Sequence, residues 1–400
     1  MGRSIISSCL YYIYASQLLI FPSSATPLSQ APLTGSVLSS ASHNISAKLF
    51  TDLEELSRIV DISYCVGTTG IQKPFLCASR CTDFQGFELV TAWETGPLLA
   101  DSCGYIAIDH ASPRPRIILA FRGTSSLANT IVDLSTIPQE YVPYTGDEED
   151  ESDSGGLAGI IQNPRKILSR AVDPETAKCE DCTVHAGFMT SWRQTRSHVL
   201  PHLEDLISKY PNYQLTLVGH SLGGAVAALA GLDFQARGWK PQITTFGEPR
   251  IGNKHLMRYI DKAFGLDEAD NRSDTYRRVT HVDDPVPLLP LGEWGYEMHA
   301  GEIYISKPDL SPDLSDLYHC EGDADPACIA GSRAAAEAYL ADIKLGLGAE
   351  GLSDWLKKSE DWLSVPARFR IWQLFFAHRD YFWRLGLCLP KAGGWEKQES

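Results

Sequence analysis

The sequence predicts an α/β fold in which a mostly parallel central sheet is flanked by helices. The first observation is a β-branched, apolar run, Gln214 to Val218, which is typical of a buried strand. A small-residue, helix-competent run from Gly224 to Leu232 follows it almost at once. The second observation is length, because a chain of 400 residues can bury one large core. We therefore expect a single α/β domain.

The residues between that strand and that helix have the pattern Gly-x-Ser-x-Gly, from Gly219 to Gly223, with Ser221 at its centre. A sharp turn of this kind strains the serine backbone, and its glycines let strand and helix pass closely. The serine oxygen then lies at a helix N-terminus, where the dipole favours a developing oxyanion. A strand before the pattern and a helix after it indicate a nucleophile elbow rather than a chance turn.

A serine nucleophile needs an acid and a base, which follow an elbow in the order Ser, Asp or Glu, His. The acid that we expect is Asp284, because it lies just after the predicted strand Tyr276 to Thr280. Pro285 restricts the loop on which it stands, so its carboxylate is well placed to hold an imidazole. Asp283, one residue earlier, is the competing candidate.

Three histidines lie far enough downstream to act as the base, namely His299, His319 and His378. The residues alone do not separate His299 from His378, because either can reach a serine at a strand end. His319 is least favoured, since it adjoins a cysteine in a predicted disulfide loop. Other histidines of apolar segments are expected to be packed or hydrogen-bonded, namely His185, His220 and His281.

Six ordered segments carry a resemblance to a known family, namely 120–126, 184–188, 219–223, 245–253, 278–290 and 295–304. They resemble the oxyanion segment, the H-x-G-F segment, the elbow and the later motifs of the fungal class 3 lipases. This family contains secreted triacylglycerol lipases and feruloyl esterases. The resemblance implies an α/β-hydrolase fold over residues 47–390, with a lid and without a metal or organic cofactor.

The resemblance also implies roles for individual residues. It assigns the base to His378 and treats His299 as a structural histidine beside the site. It makes Thr124 one donor of the oxyanion hole, through its backbone N–H and its hydroxyl. The second donor is the backbone N–H of Leu222, the residue after the nucleophile.

The first functional hypothesis is a secreted serine esterase that cleaves acylglycerols, which is a lipase. Its triad of Ser221, Asp284 and His378 would act through an acyl-enzyme intermediate. The alternative is a feruloyl or other cell-wall carboxylesterase on the same fold. A non-catalytic binding protein is disfavoured because every triad residue is present in order. The expected partner is an acylglycerol at a lipid–water interface, and the enzyme is expected to be monomeric.

Charge and hydropathy limit where the protein is expected to act and which classes of partner it is expected to bind. A net charge of −15 disfavours nucleic acid and anionic membranes. Residues 1–25 combine a basic start, a short apolar run and a small-residue exit, which predicts a signal peptide and an extracellular protein. No later run is long and apolar enough to predict stable membrane insertion. Asn44 and Asn271 stand in glycosylation sequons, which agrees with secretion.

Cysteine usage also agrees with an oxidising compartment, since the chain has 10 cysteines. Three pairs are near enough in sequence to close small loops, namely Cys77–Cys81, Cys179–Cys182 and Cys320–Cys328. Zinc at the second pair is disfavoured because no further Cys or His pair lies at finger spacing. The resemblance implies a long bridge from Cys65 to Cys388. Cys9 belongs to the predicted signal peptide, which leaves Cys103 as a buried thiol outside these bridges.

Four regions lie outside the predicted compact core. Residues 26–46 form an N-terminal extension and residues 391–400 a C-terminal tail. Residues 136–183 form an insert with an acidic run, typical of a solvated loop. Residues 306–370 form a second insert in which two helical stretches are predicted. The first insert follows the predicted lid, so it either shapes access to the site or is a neutral surface insertion, and the second has no functional interpretation.

The resemblance places a lid directly after Thr124. The apolar residues of this segment fall at helical spacing, namely Leu127, Ile131, Val132 and Leu134. A lid of this kind covers the site in water and exposes its apolar side at a lipid surface. An ordinary packed surface helix has the same spacing. Because Thr130 stands where many lipases of the family have tryptophan, we expect only modest activation at an interface.

Replacing Ile131 and Val132 with serine should lower activity on an emulsified long-chain ester and spare a small soluble ester. Only the emulsified substrate requires apolar contact with the interface. The measurement is the ratio of the two rates in the double variant and in the wild type. Equal losses on both substrates would identify a packed surface helix.

Overall fold

The computed structural model describes residues 44–95, 102–110, 114–124, 138–143, 179–266, 274–332 and 376–389. The helices of these ranges are α1 (Ala47–Ser63), α2 (Ala186–Lys209), α3 (Leu222–Ala236) and α4 (Lys254–Phe264). The strands are β1 (Ile71–Gln72), β2 (Leu76–Cys77), β3 (Phe87–Glu94), β4 (Cys103–Asp109), β5 (Arg116–Arg122), β6 (Pro138–Glu140), β7 (Thr183–His185), β8 (Gln214–His220), β9 (Gln242–Phe246), β10 (Gly252–Asn253), β11 (Tyr276–His281), β12 (Tyr296–Glu297), β13 (Glu302–Ile305) and β14 (Leu317–His319). Among the described helices, none has both the length and the apolar character that crossing a bilayer requires.

A mixed sheet of eight strands organises the fold, in the order β14-β13-β11-β9-β8-β5-β4-β3. Its five middle strands, from β13 to β5, run parallel to one another. The edge strands β14, β4 and β3 pair antiparallel. This arrangement confirms the prediction of a mostly parallel sheet flanked by helices. The predicted strand before the elbow is β8, and the predicted strand before Asp284 is β11.

Two apolar layers cover the two faces of the sheet, as alternation along β5 shows. Ile117, Leu119 and Phe121 pack in the layer formed with α2, α3 and α4. Ile118 and Ala120 point to the opposite layer, which contains α1 and Phe382 of the segment 376–389. All five side chains are fully buried, and each large one contributes about 1.5–3 kcal/mol. Because both faces are covered, β5 is a continuous apolar run instead of an alternating one.

Helix α1 matters to the site because of where it ends. It begins at the Ser46 N-cap, whose hydroxyl accepts the N–H of Leu49 at 3.1 Å. It ends at Tyr64, which is buried against the neighbouring Cys65. The last residues of α1 therefore lie beside Cys388 of the segment 376–389.

The two predicted inserts are joined to the fold by strands. The first begins with β6, which pairs antiparallel with β7 at the end of the insert. The second contributes the edge strand β14, which pairs antiparallel with β13. Residues 144–178 of the first insert lie outside the described residues, as do residues 333–370 of the second with their two predicted helices.

The described residues contain four disulfides, namely Cys65–Cys388, Cys77–Cys81, Cys179–Cys182 and Cys320–Cys328. The last three are the pairs that the spacing suggested, and the first is the one that the resemblance implied. Cys103 is buried and lies outside these bridges. The bridge at Cys179 excludes zinc there, because a disulfide sulfur is not a thiolate ligand. The longest bridge joins the end of α1 to the segment 376–389.

Replacing Cys65 and Cys388 together with alanine should lower the free energy of unfolding by about 6 kcal/mol in the chain-entropy model. The reason is that this bridge closes a sequence separation of 323 residues. The matched control replaces Cys320 and Cys328, whose separation of 8 residues predicts about 2.5 kcal/mol. Urea denaturation of both double variants measures the difference. A larger loss in the control would contradict the assignment.

Candidate active site

Ser221 occupies the turn between β8 and α3. Its backbone has φ 59° and ψ −130°, a region that side chains other than glycine rarely adopt. Its N–H donates to the Phe246 carbonyl at 2.9 Å, which holds the turn against β9. Helix α3 starts directly after Ser221, two residues before the start that the sequence predicted. The turn thus has the geometry of a nucleophile elbow.

The two glycines of the elbow are required by close approach of the backbone. A Cβ on Gly219 would lie 2.2 Å from the Gly223 oxygen, and a Cβ on Gly223 would lie 2.5 Å from the Phe121 oxygen. Any side chain there would force β8, α3 and β5 apart. The motif therefore follows from packing between three elements.

His378 and Asp284 form a buried pair, 4% and 1% exposed. The imidazole Nδ1 lies 3.0 Å from Oδ1 and 2.9 Å from Oδ2 of the carboxylate. Asp284 also accepts the N–H of Val286 at 2.9 Å and the hydroxyl of Tyr381 at 2.6 Å. These donors stabilise the charged carboxylate. Because Nδ1 donates to Asp284, Nε2 of His378 is left to accept a proton.

Two polar atoms of this cluster are buried and have no hydrogen-bond partner among the described residues. They are Oγ of Ser221 and Nε2 of His378, the two atoms that exchange a proton when a serine attacks an ester. Buried polar atoms are normally paired, so an unpaired pair of this kind points to a reacting centre. The arrangement is chemically competent for acyl transfer.

The competing candidates lie elsewhere or are otherwise engaged. Asp283 is exposed, whereas its neighbour Asp284 is buried. In His299, Nε2 lies 3.1 Å from Glu248 Oε1 and Nδ1 lies 2.8 Å from the Ala300 oxygen. With both nitrogens occupied, His299 has no lone pair to offer a serine. His319 lines a cleft beside the first turn of α1.

The oxyanion candidates lie on two sides of Ser221. Leu222 is the first residue of α3, and its N–H is among those without an acceptor inside the helix. Thr124 follows β5 and is half-buried. A Cβ on the preceding Gly123 would lie 2.8 Å from the Cβ of Ser221, so this loop contacts the nucleophile directly. The lid candidates Leu127, Ile131, Val132 and Leu134 lie outside the described residues.

The sequence assigned no role to two groups that contact the Asp284–His378 pair. Tyr381 donates to Asp284, and burial followed by the charge of Asp284 raises its pKa well above the usual value. Gly247 follows β9 with φ +60°. In the sequence, two features could have indicated these residues. Tyr381 lies three residues after His378, and Gly247 is the glycine of the F-G-x-P-R segment.

The predicted packed histidines have distinct contacts. His185 accepts the N–H of Phe188 at 3.4 Å and caps α2. His281 contacts the Lys307 carbonyl through Nε2 at 2.9 Å. His220 contacts two groups of the site, one through each ring nitrogen.

Comparison with known proteins agrees with this geometry. Residues 118–294 match the family model described as Lipase (class 3). The chain is 51% identical over 360 residues to the secreted mono- and diacylglycerol lipase 2 of Gibberella zeae, covering 86% of this chain and 83% of that protein. It is 48% identical over 406 residues to Lipase A of Sodiomyces alcalophilus, covering 96% and 92%. The crystal structure of the Lip2 lipase from Yarrowia lipolytica is similar with a TM-score of 0.64 and 28% identity, covering 86% of this chain and 97% of that one.

Replacing Gly247 with alanine should abolish most ester hydrolysis. The new Cβ would lie 2.7 Å from the Tyr381 hydroxyl, 2.9 Å from Asp284 Oδ2 and 2.9 Å from His378 Cε1. The matched control is Gly238→Ala, because Gly238 has φ +77° and no atom within 4 Å of the built Cβ. Alanine strains the backbone in both variants, because both glycines have a positive φ. Only the first variant also displaces the Asp284–His378 pair. Equal kcat values in the two variants would contradict the placement of this pair.

Proposed function

Because the chain belongs to the class 3 lipase family and is a secreted lipase, we propose that it hydrolyses acylglycerols with Ser221, His378 and Asp284 as its triad. The observation that carries this proposal is the buried Asp284–His378 pair beside a strained serine. Both the serine oxygen and the outer imidazole nitrogen lack a partner among the described residues. This arrangement matches what serine ester hydrolysis requires.

In the proposed mechanism, Oγ of Ser221 attacks the ester carbonyl while Nε2 of His378 takes its proton. Asp284 accepts Nδ1–H, keeps the imidazole in the correct tautomer and stabilises the imidazolium. The N–H of Leu222 and the donors of Thr124 bind the oxyanion. The alcohol leaves with the proton from His378. A water molecule, deprotonated by the same nitrogen, then attacks the acyl carbonyl, and the fatty acid leaves as His378 returns the proton to Oγ of Ser221.

The proposed substrates are acylglycerols at a lipid–water interface, including partial acylglycerols. The name of the Gibberella relative, a mono- and diacylglycerol lipase, supports the second part of this proposal. We also propose that the enzyme acts as a monomer, because one chain supplies every group of the site. The signal peptide over residues 1–25 and glycans at Asn44 and Asn271 remain predictions; Asn44 is exposed, and the other two regions lie outside the described residues.

Replacing Ser221 or His378 with alanine should each lower kcat on dicaprin by about 10⁶-fold, and the double variant should be little worse. The two residues act as one unit, so losing either one ends nucleophilic attack. Unchanged melting temperatures would show that the fold is intact. Near-wild-type activity in His378→Ala, with activity lost in His299→Ala, would assign the base to His299.

The acid is tested by a matched pair of neighbouring residues. Asp284→Asn should lower kcat by about 10⁴-fold, because an amide cannot hold the required tautomer. Asp283→Asn should have little effect, since Asp283 is exposed. Equal losses would leave the acid unassigned.

In the same assays, faster hydrolysis of methyl ferulate than of any acylglycerol by the wild-type enzyme would favour a cell-wall esterase.

A further inference from the structure

A chain of buried hydrogen bonds connects three parts of the site and begins at the end of α1. The hydroxyl of Tyr64 lies 2.5 Å from Nδ1 of His220. The same oxygen lies against the backbone of Gly123, where an added Cβ would come within 2.6 Å of it. Nε2 of His220 lies 2.8 Å from the carbonyl oxygen of His378. Tyr64 and His220 are 4% and 1% exposed, so water does not satisfy these groups.

The direction of each bond follows from the chemistry of its ends. The carbonyl of His378 can only accept, so Nε2 of His220 carries the proton. In a neutral imidazole Nδ1 is then an acceptor, and the Tyr64 hydroxyl donates to it. Burial, followed by the charge of His378, lowers the pKa of His220 well below its usual value. Burial raises the pKa of Tyr64 to about 12, so this hydroxyl keeps its proton.

Each end of this chain lies next to a reacting group. Gly123 precedes Thr124, His220 precedes Ser221, and the accepting carbonyl belongs to His378 itself. The rings of His220 and His378 are 4.7 Å apart at 30°. His378 becomes positively charged during the reaction, and a second charge on His220 at this distance would repel it. His220 must therefore stay neutral.

We propose that Tyr64 and His220 are positioning residues that hold the oxyanion loop, the nucleophile and the base in one reactive geometry. This inference rests on the proposed triad. Neither side chain acts on the substrate directly. Both act through the backbone of residues that adjoin the reacting groups. The bond from His220 is the one that reaches the backbone of His378 itself. The rest of the segment 376–389 is held to α1 by the Cys65–Cys388 bridge, by the Gly386 N–H, which donates to Asp61 Oδ1 at 2.8 Å, and by apolar packing of Phe382.

Tyr64→Phe tests the proposal by removing one oxygen atom. We expect kcat on a soluble ester such as p-nitrophenyl butyrate to fall about 10- to 100-fold, with KM changed less than about 3-fold, because small misplacements of reacting groups cost such factors. The matched control is Tyr105→Phe. Tyr105 is also fully buried, and its hydroxyl also bonds α1, at the Ile59 carbonyl at 2.9 Å. Its loss should lower the melting temperature by a similar amount and leave kcat unchanged.

Two substitutions of His220 separate the two bonds of its ring. Glutamine can place an N–H where Nε2 lies and so keep the bond to the His378 carbonyl. Asparagine can place an acceptor where Nδ1 lies and so keep only the bond to Tyr64. We expect His220→Gln to retain at least about 10-fold more kcat than His220→Asn, since misplacing the base costs such factors. A structural role alone would not produce this order.

Side-chain ¹⁵N NMR provides a readout independent of activity. In the wild type, His220 should remain a neutral imidazole with its proton on Nε2 at every pH at which the enzyme is folded. Tyr64→Phe should weaken this preference, because Nδ1 loses its donor. An Nδ1–H tautomer in the wild type would overturn the proposal.

The kinetic outcomes also decide the matter. Unchanged kcat in Tyr64→Phe, equal losses in Tyr105→Phe, or a reversed order of the two His220 variants would each overturn the positioning role. Ser221→Ala is measured alongside. If Ser221→Ala retains activity, the proposed triad is wrong; if it is inactive while Tyr64→Phe is normal, only the positioning role fails.

Discussion

The site depends on one buried carboxylate that must be paired. Asp284 is 1% exposed, and a buried carboxylate is tolerated only where donors satisfy it. One donor, the Val286 N–H, is local. The other two, His378 and Tyr381, lie 94 and 97 residues further along the chain. Satisfying Asp284 therefore docks the C-terminal segment and places the base in the same step.

The sheet explains why so many distant residues meet. Ser221, Thr124, Gly247 and Asp284 all follow parallel strands, namely β8, β5, β9 and β11. The carboxyl ends of parallel strands share one edge of a sheet, where open α/β folds place their sites. His378 comes from outside the sheet, and its segment is held there by the Asp284 carboxylate, by His220 of β8 and by packing against α1.

The contacts of three buried histidines, His220, His299 and His378, give them different chemistry. His299 has both nitrogens engaged by Glu248 and Ala300. His220 has both engaged by Tyr64 and His378. His378 has one nitrogen on Asp284 and the other without a partner among the described residues. A general base needs an accessible lone pair as well as an orienting partner, and of these three only His378 has both.

The sequence by itself determined the features that depend on neighbouring residues: β8, the elbow, α3 and the acid region after β11. It also suggested the short disulfide pairs, because their loops are local. The sequence preferred Asp284 to Asp283 only for its place before Pro285, and only the tertiary structure shows that Asp284 is buried and Asp283 exposed. The residues alone left His299 and His378 open, the resemblance favoured His378, and only the tertiary structure shows their different contacts, together with those of Tyr381 and Tyr64. Those decisions rest on hydrogen bonds between distant segments, and a pattern of neighbouring residues carries no information about which distant groups satisfy a buried polar atom.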